Sequence, residues 1–362
     1  HPMSLFRDVL DAKTRLRYLV ERLEQYPRRY EYHQERAIDS FGYDLFQTRR
    51  EVGPNELDDR VLKFALRQLR LYLTSPNPGF VSQCYRGYSE FWAEKTDDFA
   101  KLAETILNER RDSGRRAFRI AQYLRDGLGR APRAIEILLI AQGQGRLDEN
   151  MDFTLVQWLR DENRLPEAIG ILESLKKMRP DNMTYRTELM RAYFTSQRAE
   201  QLRTLMDQTD AHFHNEGRWT EGNVSQFAAG CLAVNEPSRA KKYMAEAIAL
   251  HQRANPASGV NDEVLSNYYQ QLATMDSSLG NTRDAVNAAI SSITCWSSRH
   301  EYRQQTIESL KTVLRSAKDL DQLIATLDAE SQQSGQDNPI LRKAIGQVWS
   351  ERGDHPKALV QL

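Results

Sequence analysis

The sequence predicts an all-α chain built as a solenoid of antiparallel helix pairs. Apolar residues recur at helical spacing along nearly its whole length. Turn signals interrupt that pattern about every 15 residues, the length of one helix and a short loop. Small residues early in successive second helices stand 34 apart, at Ala100, Ala134 and Ala168. A fixed period of this length is the mark of a stacked-repeat architecture.

The first elements lie outside the repeat. Met3 to Gln25 reads as one amphipathic helix, with Leu5, Val9, Leu16, Leu19 and Leu23 on a stripe. Pro54-Asn-Glu-Leu-Asp-Asp59 starts another, because Asn and Asp accept from free amides and acids suit the positive end of the helix dipole. It runs to about Thr74 and is stopped by Ser75-Pro-Asn-Pro-Gly79. Residues 3–80 are therefore expected to cap the array, since an end repeat must not leave its apolar face bare.

Residues 81–214 carry the regular pairs. The clearest runs from Asp152 to Pro180. Leu155, Val156 and Leu159 stripe its first helix, while Ala168, Leu172 and Leu175 stripe its second. One further step of 34 reaches Leu202, where a large residue replaces the small one. Residues 215–362 are less regular, with second helices at Pro237-Ser-Arg-Ala240, Gly280 to Ala285 and Gly353 to Ala358. Asn255-Pro-Ala-Ser-Gly259 reads as a loop between pairs, and Tyr302 to Ser334 as a degenerate pair. His1-Pro2 before Met3 reads as a leader left by expression, and the apolar ending Lys357 to Leu362 as a cut through a repeat. The expectation is a piece of a longer chain.

Ala168 and Pro180, with their helix–turn–helix setting and the 34-residue period, resemble the tetratricopeptide repeat family. That resemblance implies a right-handed superhelix in which first helices line a concave groove and second helices lie outside. It also implies a protein that works by binding other proteins.

Composition narrows the function. Lys+Arg and Asp+Glu both number 50, so no whole-chain field favours nucleic acid or a membrane. No run of about 18 apolar residues would span a bilayer. Cys84, Cys231 and Cys295 are odd in number and far apart, which fits a reducing, cytoplasmic setting and no zinc spacing. Arg outnumbers Lys about three to one, which suits carboxylate pairing, within the protein or with a partner. No Gly-x-Ser-x-Gly element occurs, and Gly143-Gln-Gly145 follows a helix and lacks a lysine, so it reads as a turn and not a phosphate loop. His212-Phe-His214 sends two imidazoles to divergent faces. No enzyme activity, metal or cofactor is expected.

The outward stripes of the first helices are the candidate partner surface. They offer Tyr85 and Trp92, then Arg116, Arg119 and Tyr123, then Phe153 and Arg160, then Arg191 and Phe194. Aromatics and arginines anchor interfaces more often than other residues, and guanidinium forks fit carboxylates. A peptide with an acidic segment or a free C-terminus is the expected ligand. Past residue 220 the stripe turns bland, with Ser225, Ala229, Leu232, Gln270, Thr274 and Ser277. Two alternatives stay open: an RNA-binding helical-repeat protein, using the basic run from Arg110 to Arg119, and the regulatory arm of a larger enzyme.

Overall fold

A computed structural model describes residues 10–25, 44–74, 95–109, 113–215, 217, 219–255, 262–295, 307–308, 310–315, 320–325 and 339–361. Among the described residues there are helices and turns and no strand, in pairs of tetratricopeptide-like form. The chain divides into two compact units, His1–Ile171 and Leu172–Leu362. The division falls inside the helix Leu165–Met178.

The first unit holds α1 (Ala12–Gln25), α2 (44–52), α3 (Asp58–Thr74), α4 (Thr96–Glu109), α5 (Gly114–Gln122), α6 (Ala131–Gly143), α7 (Glu149–Asp161) and the start of α8 (Leu165–Met178). Leu16, Leu19, Leu45, Val61, Leu69 and Leu73 are buried among α1 to α3. Arg49 grips Asp58 through two nitrogens at 2.5 and 2.7 Å, tying α2 to the start of α3. α3 packs on α4 and on α5. The second unit holds α9 (Met183–Thr195), α10 (Ala199–Asn215), α11 (Glu221–Ala233), α12 (Pro237–Ala254), α13 (Glu263–Ser278), α14 (Thr282–Cys295), α15 (Pro339–Glu351) and α16 (His355–Gln361).

Two start signals alternate along the chain. The first helix of a pair begins at a side-chain cap: Ser113, Asp148, Asn182, Thr220 and Asp262 each accept from an amide of the first turn. Such caps satisfy donors that the helix cannot. In the six pairs among the described residues the second helix begins from a turn of three residues. The middle residue of that turn is left-handed: Gly129, Asn163, Gln197, Asn235, Gly280 and Gly353 have φ of 66°, 57°, 57°, 60°, 77° and 80°. The next amide then reaches back to the closing turn of the first helix. Arg164 bonds the Leu159 carbonyl at 2.7 Å, Arg198 that of Tyr193 at 2.9 Å, and Glu236 that of Cys231 at 2.9 Å. Orphan carbonyls are satisfied and the chain reverses in the least space.

The first of these turns differs by one residue. Tyr123–Gly127 forms a π turn at the end of α5, and the Arg130 amide reaches Leu124, one residue further back than elsewhere. A single-turn widening is the usual way a helix absorbs an extra residue.

The small-residue positions fall at one place. Ala134, Ala168, Leu202, Ala240, Ala285 and Ala358 are each the fourth residue of a second helix, and all are buried. First helices approach as closely at another point. A Cβ on Gly230 of α11 would stand 2.7 Å from the Thr187 methyl of α9, so only glycine fits there without a shift.

Candidate functional site

Of the nine candidate residues, Tyr85 and Trp92 lie outside the described residues. In the first unit Arg116 is half-exposed and Arg160 exposed on α5 and α7, and Phe153 is half-buried. Arg119 is not a free fork. It donates to the Tyr72 carbonyl of α3 at 3.1 Å, and burial, with Arg116 nearby, pushes its pKa below the usual arginine value. Tyr123 is only 2% exposed and does not face a partner. Its ring packs against Gly127, where an added Cβ would stand 3.0 Å away. The physical reason for both corrections is that α3 covers α5 and the π turn carries Tyr123 into the core.

An ordered aromatic group joins α5 and α7 in the same unit. Phe118 stacks on Trp158 with ring centres 6.0 Å apart, and the Arg125 guanidinium lies 4.9 Å above the Trp158 ring. Arg125 also pairs with Asp161 at 2.8 Å. Trp158 is buried, so this group acts as packing between first helices and not as an open aromatic platform.

In the second unit Arg191 pairs with Glu188 one turn away at 2.7 Å. Phe194, three residues on, is 45% exposed, one of the few large apolar side chains left in water among the described residues. It forms one wall of a groove of about 610 Å³. Leu202 and Met206 of α10 and Val234 of the α11–α12 turn supply the other apolar lining. Glu200, Arg203, Glu236 and Arg239 bring charge to it. Arg239 is engaged by Asp207 at 2.6 Å, whereas Arg203 is exposed and makes no ion pair among the described residues. Phe194 was in the predicted stripe; Leu202, Met206, Val234 and Arg203 were not. Leu202 alone was signalled, as the step where the small residue fails.

Several arginines among the described residues pair with acids of other helices. Arg133 bridges α6 to Glu104 of α4 at 2.7 Å, and Arg315 reaches Glu351 at 2.7 Å. These contacts link residues roughly one repeat apart and contribute little each, since exposed pairs are screened.

Cys231, Cys295, His212 and His214 are engaged in packing or ion pairs. Cys231 is fully buried and its thiol pKa is pushed up to about 12, chiefly by burial, so it carries no thiolate character near neutral pH. Burial raises the Cys295 pKa too. His212 faces Asp181 at 2.9 Å and His214 faces Asp210 at 2.7 Å, so the two imidazoles serve different carboxylates. No helix among the described residues is long and apolar enough to cross a membrane.

No family model and no curated protein matches this chain. Among solved structures it is similar to a human IFIT1 dimer with PPP-AAAA, at 12% identity and a TM-score of 0.40, covering 89% of this chain and 71% of that one. The apo form of RapI matches at 10% identity and a TM-score of 0.40, over 97% of each chain. Yeast Tom70 matches at 12% identity and a TM-score of 0.38, over 99% of this chain and 82% of that one.

Proposed function

We propose that this chain is a protein-binding scaffold, not an enzyme, and that the groove beside Phe194 takes an apolar anchor side chain of a partner protein. The observation that carries the reading is Phe194 itself, exposed at 45% yet standing over Leu202, Met206 and Val234. Leaving such a ring in water has a cost that a partner side chain would remove, and burial of one aliphatic or aromatic anchor contributes about 1.5–3 kcal/mol. Arg203 on the same groove favours an anchor followed by a carboxylate, through a charge-assisted hydrogen bond.

The test starts from a displayed library of peptides carrying one large apolar residue beside Asp or Glu. Bound sequences are then titrated against the intact chain and against Phe194→Ala and Arg203→Glu. The expected result is a loss of about tenfold or more for Phe194→Ala, with an unchanged melting temperature because the ring is exposed. Arg203→Glu should weaken acidic peptides and spare their amide counterparts. Selected peptides that bind both variants as they bind the parent chain would sink the reading.

A further inference from the structure

We propose that His251 is a proton-operated lock that ties α11, α12 and α13 together and releases them as its imidazolium loses a proton. The side chain leaves the last turns of α12 and is 7% exposed. Its Nδ1 lies 2.9 Å from Oε1 of Glu221, the first residue of α11. Its Nε2 lies 2.7 Å from Oδ2 of Asp262, the residue that caps α13. Both ring nitrogens thus face carboxylate oxygens, which only accept. A neutral imidazole has one N–H and would turn a lone pair toward one of the two acids. The imidazolium alone satisfies both.

The carboxylates are held independently of the ring, so they cannot swing to relieve that conflict. Asp262 accepts the Leu265 amide on Oδ1 at 2.9 Å, and its own amide donates to the Cys295 carbonyl of α14 at 3.1 Å. Glu221 accepts the Tyr268 hydroxyl of α13 at 2.8 Å on the same oxygen that faces His251. Tyr268 also sets its ring edge-on to the imidazole, with centres 6.1 Å apart. Asn255 fixes the backbone from behind, its side-chain amide donating to the His251 carbonyl at 3.2 Å. Among the described residues the titratable groups around the ring are Glu221 from α11, Asp262 and Tyr268 from α13 and its cap, and, behind Asp262, the Cys295 thiol of α14. The two acids sit at opposite nitrogens and do not converge on a shared point, so the fitting ligand is a proton and not a metal.

The electrostatics agree in direction. Burial lowers the pKa of His251, and the hydrogen bonds and charges of Asp262 and Glu221 outweigh it, leaving the pKa above the ordinary histidine value of 6.5. A folded pKa above the unfolded one means the lock is complete below about pH 6.5 and lost as pH rises through the folded value. What loosens is the placing of two consecutive first helices, α11 and α13, against the second helix between them.

The intact chain, labelled with nitrogen-15 at histidine, gives a direct reading of each ring nitrogen by NMR. At pH 6.5 both nitrogens of His251 should carry protons, and the titration should lie above that pH. Hydrogen exchange, corrected for intrinsic rates, should show the opening of 221–233 and 263–278 rising up to about tenfold per pH unit above 6.5 and then levelling. His251→Gln should abolish that pH dependence, and His214→Gln, which touches a different acid, should keep it. A neutral His251 at pH 6.5, a titration at or below the ordinary value, or a pH-dependent opening that survives His251→Gln each overturns the lock. Should His251→Gln fail to fold, the ring titration of the unaltered chain decides.

Discussion

The pair α9–α10 and the pair α11–α12 are built by the same backbone device and end with different properties. Both first helices start at a side-chain cap, Asn182 or Thr220, and both turns are three residues long with a left-handed middle residue, Gln197 or Asn235. At the fourth position of the second helix one has Leu202 and the other Ala240. The pair with alanine closes tightly over Val224, Phe227, Tyr243 and Met244. The pair with leucine gives the open groove its Leu202 and Met206 lining and shows Phe194 to water, while the turn of the alanine pair supplies only the far edge, at Val234. A repeat fixes the path of the chain, and the place where its side-chain rule fails is where a surface becomes available.

The contrast can be broken by exchanging the two residues. Leu202→Ala should cost about 2–4 kcal/mol, because a buried leucine leaves a void as well as lost transfer energy, and it should also weaken any anchor bound beside Phe194. Chemical denaturation and the peptide titration read the two effects separately. The reverse change, Ala240→Leu, should cost about 1–3 kcal/mol by overpacking a fully buried site. An unaffected midpoint for Ala240→Leu would show that closeness at this position does not distinguish the pairs.

A smaller effect is expected where α9 meets α11. Gly230→Ala should lower stability by about 1–2 kcal/mol, since Thr187 is buried and its methyl cannot retreat. Thr187→Ser, which removes that methyl, should restore most of the loss in the double variant; strict additivity would rule out the contact as the cause. The smallest effect is a gain. Gln197→Gly should raise stability by about 0.5–1 kcal/mol, as relief of a left-handed side chain exceeds the added entropy of glycine. A loss would mean that the Gln197 side chain contributes something its exposed position does not suggest.

The helix pairs were legible because their signals are local. The 34-residue spacing of Ala100, Ala134 and Ala168 marks buried positions, and capping residues and turn glycines act within a few residues of where they stand. The candidate surface was legible only in part. Reading Arg116, Arg119 and Tyr123 as one open stripe assumes that nothing covers α5, whereas α3 does, through a contact 47 residues apart in sequence. Tyr123 also lies where the α-helical period is interrupted, and no composition rule announces a π turn. The His251 network has no sequence signature, because its three members come from α11, α12 and the cap of α13 at separations of 30 and 11 residues.

The constant three-residue turn divides this chain into joints that tolerate engineering and joints that do not. Between α6 and α7, α8 and α9, and α10 and α11 the interval runs to five, four and five residues, and between α12 and α13 to eight. Lengthening such a connection adds only a loop-closure term, about 0.6 kcal/mol per doubling. An added residue inside a pair has no loop to enter and must be taken up by the helix, as Tyr123–Gly127 takes one up. Tags, circular breaks and grafted binding segments therefore belong between pairs, and a new module can be spliced in only as a whole pair with its own turn.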